Sequence, residues 1–219
     1  MTLAIFDLDN TLLRGDSDYL WGCFIVERGL VEREAYEQAN RQFHQDYEAG
    51  VLDIDAFLRF TLGPLSRFSI EQLHGWRQQF VDEMIRPIIL PAACEQLDWH
   101  RRRGDTLLII TATNAFVTRP IAEALDVPHL LATEPERVGQ RYTGRYVGTP
   151  TFRDGKVTAL DQWLARYPHA LDDSWFYSDS HNDLPLLERV ARPVAVDPDP
   201  VLRRNAIERG WEIRSFRET

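Results

Sequence analysis

Cysteine is scarce: only Cys23 and Cys94 occur in 219 residues, far apart and in stretches that read as helices. That excludes a disulfide framework and the paired spacing of a zinc motif, and it suits reduced thiols in a cytoplasmic protein. Long apolar runs are missing too. The densest, Thr106-Leu107-Leu108-Ile109-Ile110, gives way to polar residues, well short of the roughly 20 residues that span a bilayer. No basic leader and no small-residue cleavage site precede Leu3-Ala4-Ile5-Phe6-Asp7-Leu8, so no export signal is expected. Nor is there an excess of positive charge. A formal net charge of −9 argues against nucleic acid or anionic lipid as a partner, and it leaves room for a local basic pocket that holds a phosphate. Repeats, low-complexity tracts and long linkers are absent, which favours one compact body.

What remains is 44% hydrophobic, enough to bury a sizeable core. Apolar runs at Leu3 to Leu8, Leu107 to Ile110, Trp175 to Tyr177 and Pro193 to Val196 read as buried strands of a parallel sheet. Helical patterns lie between or after them, at Pro91 to Arg103, Ala115 to Leu125, Lys156 to Arg166 and Pro200 to Arg209. Strand and helix alternate, which predicts an α/β layer fold. Pro91 suits a first helical position and Gly104 a helix stop.

Residues 14–88 break the alternation with helix signals and no convincing strand. Ser69 and Gln72 form a capping box, after which Ile70, Leu73, Trp76, Phe80 and Met84 recur at helical spacing, a stripe suited to helix packing. Asp53 suits the cap of a shorter helix carrying Phe57, and the stretches Trp21 to Arg28 and Glu34 to Tyr47 also read as helices. The expected organisation is an α/β core of residues 1–13 and 89–219 with a helical insertion over 14–88. The crossings fall near Arg14 and Pro87, and a cleft lies between the two parts. From Thr133 to Gly148 the glycines at 139, 144 and 148 interrupt a polar-aromatic pattern, predicting a β-hairpin or flap.

Polar groups gather at the expected carboxyl ends of the strands: Asp7 and Asp9 after the first, Thr111 after the second, Lys156 at a helix start, and the Asp179 to Asp183 cluster. Ligands of open parallel sheets bind there. Two carboxylates placed so closely call for a cation or a shared proton, which makes a metal-assisted site the economical reading. An isolated Asp-x-Asp often serves only a turn, Thr111 could merely cap a helix, and Lys156 could be a solvated surface charge. The order and spacing of all four together carry the argument. Calcium loops are excluded, because Leu12 and Leu184 stand where such loops need glycine.

On these residues the chain resembles the haloacid dehalogenase superfamily, and within it the branch with a small helical cap that includes phosphoserine phosphatase. Asp7-Leu8-Asp9-Asn10-Thr11 resembles the first motif, Thr111 the second, Lys156 the third, and Asp179 with Asp183 the fourth; Tyr142-Thr143-Gly144 is similar to the flap. The resemblance implies a Rossmann-like core with a parallel sheet and an inserted all-helical cap of the C1 type. It implies a magnesium-dependent phosphatase of small soluble phosphate monoesters, with Asp7 as the nucleophile that becomes phosphorylated and Asp9 as acid and base. Magnesium would be held by the Asp7 carboxylate, the Asp9 carbonyl and Asp179, supported by Asp183. Thr111 and Lys156 would bind the phosphoryl group, with Asn114 and Asn182 as further contacts.

The departures bear on the substrate. Asp16 falls where phosphoserine phosphatases carry a glutamate near the substrate amine, and Thr61 where they carry an arginine that grips the carboxylate. Without that cation phosphoserine is disfavoured unless Arg59 or Arg67 supplies the charge. A phosphorylated amino alcohol such as histidinol phosphate keeps the amine and lacks the carboxylate. Asp16 also suits an N-cap before Asp18 and Tyr19. The alternatives are phosphoserine hydrolysis, or phosphotransfer or a mutase reaction on the same fold; a non-catalytic regulator fits the intact set of polar residues poorly.

Overall fold

A computed structural model describes residues 2–217. Its centre is a six-stranded parallel sheet. In chain order the strands are β1 (Leu3–Phe6), β2 (Thr106–Ile110), β3 (His129–Leu131), β6 (Trp175–Ser178), β7 (Arg192–Val196) and β8 (Glu212–Arg214); β4 (Glu134–Val138) and β5 (Arg141–Val147) form a separate antiparallel hairpin. The sheet order is β3-β2-β1-β6-β7-β8, so the chain winds outward from β1 in one direction and then in the other. The topological switch falls between β1 and β6.

The strands are apolar without alternation because both faces are covered. Leu3, Ile5, Leu108, Ile110, Phe176 and Ala195 point into one core; Ala4, Phe6, Leu107, Ile109, Tyr177 and Val194 point into the other. The first core is closed by α7 (Asp154–Leu164), α8 (Leu184–Leu187) and α9 (Pro200–Arg209). The second is closed by α5 (Pro91–Arg103) and α6 (Ala115–Ala124), and it runs on without a break into residues 14–88. That segment holds α1 (Ser17–Glu27), α2 (Arg33–Glu48), α3 (Ile54–Leu62) and α4 (Ile70–Phe80), followed by single π and 3-10 turns to Ile88. Trp21, Phe24, Phe80 and Phe116 pack ring to ring where α1, α4 and α6 meet.

Local signals in the sequence locate most of these elements. Pro91 opens α5 and Gly104 ends it with φ 74; Asp53 caps α3 through the Ala56 amide at 3.0 Å; the Ser69 and Gln72 capping box forms. The alternation of strand and helix yields the expected α/β architecture. Two strands, β3 and β8, go beyond the expected set. Each is three residues long, sits at an edge and is only part-buried, so neither shows the dense apolar run of an interior strand. Helix α7 starts at Asp154, two residues before the expected Lys156. The crossings near Arg14 and Pro87 are zipped together: Leu13 and Ile89 form an antiparallel bridge, with Arg14 N donating to Ile88 O at 2.7 Å and Leu90 N to Leu12 O at 3.1 Å. Among the described residues no helix is long and apolar enough to cross a membrane.

Thr61 has a role that its position in the sequence does not suggest. Its hydroxyl donates to Asp18 Oδ1 at 2.8 Å, tying α3 to the first turn of α1, and both residues are buried. Burial, and then the charge of Asp16, raises the Asp18 carboxyl to about 7, against a smaller lowering by the Thr61 bond. The folded state therefore holds this proton more tightly than the unfolded chain, whose carboxyl titrates near 3.8. Its contribution to stability is complete below about pH 4 and is lost as pH rises towards 7, an effect of at most about 4 kcal/mol. In magnesium-free urea titrations, Asp18→Asn should flatten this decline between pH 4 and 7; an unchanged slope would show that Asp18 is not its source.

Candidate active site

The switch point between β1 and β6 is where the chemistry collects. Beyond Phe6, Asp7 extends the pairing, its amide donating to Tyr177 O at 2.9 Å. The chain then turns sharply. Asn10 takes a left-handed φ of 57, and Leu8 O accepts from the amides of Thr11, Leu12 and Leu13. This turn carries the Thr11 side chain to β6, where its hydroxyl donates to Asp179 Oδ1 and accepts from the Asp179 amide, each at 3.1 Å. From the end of β2 come Thr111, Ala112 and Thr113, and they line one cavity with Asp7, Asp9 and Asp179.

Lys156 is the only lysine in the sequence. It is 1% exposed and donates to Asp7 Oδ1 at 2.7 Å and to Asp183 Oδ2 at 2.8 Å. Its approach depends on a tight entry into α7. Arg153 has φ 51, and at Gly155 an added Cβ would stand 1.9 Å from Pro150 O, so a side chain at 155 would push the helix start and Lys156 away. Asp183 also accepts from the Ser178 hydroxyl at 2.7 Å; it anchors the ammonium from below and does not line the cavity.

Charge is unbalanced here. Burial raises Asp7 to about 6 against the pull of Lys156. Asp9 is held well above the usual carboxylate range by burial, then by Asp16 and Asp7; Asp179 is held there by burial, then by Asp7 and Asp183. Burial disfavours the Lys156 cation, but Asp183 and Asp7 outweigh it and its pKa is raised. Of these four carboxyl groups only Asp7 and Asp183 reach the one ammonium. Asp7 is bound to a cation, while burial and the neighbouring carboxylates make Asp9 readier to hold a proton than an ordinary carboxyl.

Residues 4–188 match the haloacid dehalogenase-like hydrolase family. The chain belongs to that family. It is 44% identical to a histidinol-phosphatase of Neisseria meningitidis serogroup C, covering 98% of this chain and 99% of the relative. A crystal structure from Bordetella pertussis Tohama I, of a protein with unknown function, superposes with a TM-score of 0.92 at 44% identity, over 99% of this chain and 100% of that one. A phosphoserine phosphatase solved as a phospho-aspartyl intermediate analogue shares the fold, with a TM-score of 0.72 at 18% identity over 99% of this chain and 94% of that one. The expected family and fold class hold.

Within this hydrolase fold, residues 14–88 supply the opposite wall of the cavity: Tyr19, Asn40, Phe43, His44, Tyr47 and Phe57, with Leu52 and Ile54. Two contacts hold the end of α2 over the site. The Arg153 guanidinium donates to Gly50 O, and Asn182 Nδ2 donates to Tyr47 O at 3.2 Å. Periodicity shows α2 as a helix but cannot show which of its faces meets the sheet, so Phe43, His44 and Tyr47 are not evident from the sequence. A second signal does mark Lys156, since a solitary lysine among 25 basic residues is an unusual choice over arginine.

Several expected contacts are corrected. Asn114 caps α6, accepting from the Val117 amide at 3.4 Å, and is absent from the cavity wall. Asn182 is spent on Tyr47 and Arg153. Arg59 is exposed and shares a groove on the far side of α3 with Tyr36 and Arg67, so neither arginine reaches the cavity. Asp16 caps α1 through the Asp18 and Tyr19 amides at 2.9 and 2.8 Å, and its other oxygen lies 3.3 Å from His44 Nδ1. Asp16 therefore acts on the cavity through His44, whose pKa is raised by its interaction with this carboxylate.

Replacing Lys156 by Gln would leave Asp7 and Asp183 buried without a cation, at a cost of about 3–5 kcal/mol. Lys156→Gln should melt at lower temperature and lose at least about a hundredfold in turnover. Unchanged turnover in the folded variant would remove Lys156 from the chemistry.

Proposed function

We propose that this phosphatase hydrolyses histidinol phosphate through an aspartyl-phosphate on Asp7. The chain is a phosphoric monoester hydrolase acting on small phosphate esters, and the choice among them rests on one observation: no arginine or lysine among the described residues lines the cavity. A substrate carboxylate would find no fixed cation there, and the one imidazole, His44, already faces the Asp16 carboxylate, so its burial is disfavoured. A cationic amine and an imidazole, by contrast, suit a wall of Tyr19, Phe43, Tyr47 and Phe57 beside surplus negative charge. The full-length likeness to the Neisseria histidinol-phosphatase supports the same substrate.

In this reading residues 1–13 and 89–219 are the catalytic core, and residues 14–88 are a cap that closes over it and selects the ester. The Asp7 carboxylate attacks phosphorus in line and forms an acyl phosphate as the P–O bond to the alcohol breaks. Asp9 gives its proton to the departing oxygen. It then takes a proton from the water that attacks phosphorus, releasing phosphate and restoring Asp7. The Thr111 hydroxyl holds a phosphoryl oxygen in place, and the Lys156 ammonium, behind the cavity wall, holds the attacking Asp7 carboxylate.

The donor set fits magnesium. No three His, Cys, Asp or Glu side chains among the described residues converge on a metal point, and this ion needs fewer, since it keeps several waters and binds through one or two carboxylates plus phosphate. Asp7 and Asp179 face the same cavity, and the proton affinity of Asp179 is raised by burial and then by the charge of Asp7. With the Asp9 carbonyl, these two would hold the ion. When bound it draws charge from the phosphoryl oxygens. A cytoplasmic location accords with the reduced thiols.

Phosphate release should be measured with magnesium across histidinol phosphate, phosphoserine, sugar phosphates and nucleotides. We expect at least about a tenfold preference in kcat/KM for histidinol phosphate, a difference of roughly 1.4 kcal/mol in transition-state binding, and no release by Asp7→Asn. A preference for phosphoserine would overturn the substrate assignment, and release that survives Asp7→Asn would overturn the covalent route.

A further inference from the structure

Both carboxylate oxygens of Asp9 are engaged, and by different parts of the chain. Oδ1 accepts from the Ser17 amide at 2.7 Å, the first residue of α1; Oδ2 is 2.7 Å from the Thr113 hydroxyl, on the loop between β2 and α6. Thr113 is itself fixed. It is 5% exposed, its amide donates to Thr111 Oγ1 at 3.2 Å, and the next residue, Asn114, caps α6. The two partners differ in kind. An amide can only donate, so it holds Oδ1 as an acceptor throughout. A hydroxyl donates to a carboxylate and accepts from a carboxylic acid, so it stays bonded in either protonation state.

We propose that Thr113 is a positioning residue for Asp9, clamping it against the Ser17 amide so that one carboxyl group keeps its aim while it gives a proton and then takes one back. This rests on the reading of Asp9 as acid and base given above. Because one jaw of the clamp is the start of α1 and the other is the loop from β2 into α6, Asp9 is aligned only when these two parts are in register. Acid assistance matters in proportion to the basicity of the departing oxygen. An alkoxide needs the proton and a nitrophenolate does not, and kcat/KM counts only the steps up to alcohol departure.

The test compares kcat/KM for histidinol phosphate with that for 4-nitrophenyl phosphate. Thr113→Val should lose about ten- to a hundredfold on the alkyl ester and less than about threefold on the aryl ester, a part of the usual general-acid effect. Thr113→Ser should restore the alkyl ester to within about threefold, and Thr113→Val should add no further loss in an Asp9→Asn background. Equal losses on both esters would mean that Thr113 binds phosphate or merely supports the loop, and would overturn the clamp; so would no loss on either, or additive losses. If Thr113→Val does not fold, Thr113→Ala carries the same comparison. Wild-type protein that hydrolyses neither ester would overturn the phosphatase reading itself, whereas an active wild type with equal losses overturns only the role of Thr113.

Discussion

The ion pair that Lys156 makes with Asp7 and Asp183 is the constraint on which the site depends. Each partner comes from a different place: Asp7 from the end of β1, Lys156 from the start of α7, and Asp183 from the turn after β6. A buried carboxylate alone would protonate, and a buried ammonium alone would shed its proton. Held together they keep each other charged, and they fix three loops at once. The left-handed Arg153 and the sterically obligatory Gly155 bring the α7 entry close enough. The pair is also incomplete, since Asp179 and Asp9 remain without compensation. The site is left with more carboxyl groups than cationic side chains to balance them.

Much of this arrangement is legible in the order of residues alone. The carboxyl-end positions of Asp7, Thr111 and Asp179 follow from apolar runs that stop abruptly at polar residues, and Pro91, Gly104, Asp53 and Ser69 mark helix ends by their own stereochemistry. What cannot be read there are facts of orientation. Asn114 is polar and stands beside the site, yet its carbonyl oxygen is consumed by a helix cap. Arg59 is on the right helix and on its wrong side. Thr61 stands where a substrate-binding cation would be sought, and it is instead bonded to a buried carboxyl of its own segment. Each of these outcomes depends on a rotation about a helix axis, which hydrophobic spacing leaves open until packing partners are known.

Under the proposed function, substrate choice and reaction chemistry fall in separate parts of the sequence. The carboxyl ends of the strands supply the carboxylates and the threonines, and the start of α7 the lysine; α1, α2 and α3 supply the rings. Gly22 shows how closely the second group is fitted, since a Cβ there would stand 2.5 Å from Asn40 Nδ2, on the very residue that lines the cavity and bonds Tyr19 O. The width of the aromatic wall is thus set by contacts between α1 and α2 rather than by the sheet.

The zipped crossing at Leu13 and Ile89 has a consequence for descent. A segment whose entry and exit lie side by side leaves the surrounding chain undisturbed when it is lengthened, rebuilt or replaced, just as insertions are best tolerated where their ends nearly meet. Evolution can therefore trade one helical lid for another while the strands beneath keep their register. A change of diet for such an enzyme requires no renegotiation of its core.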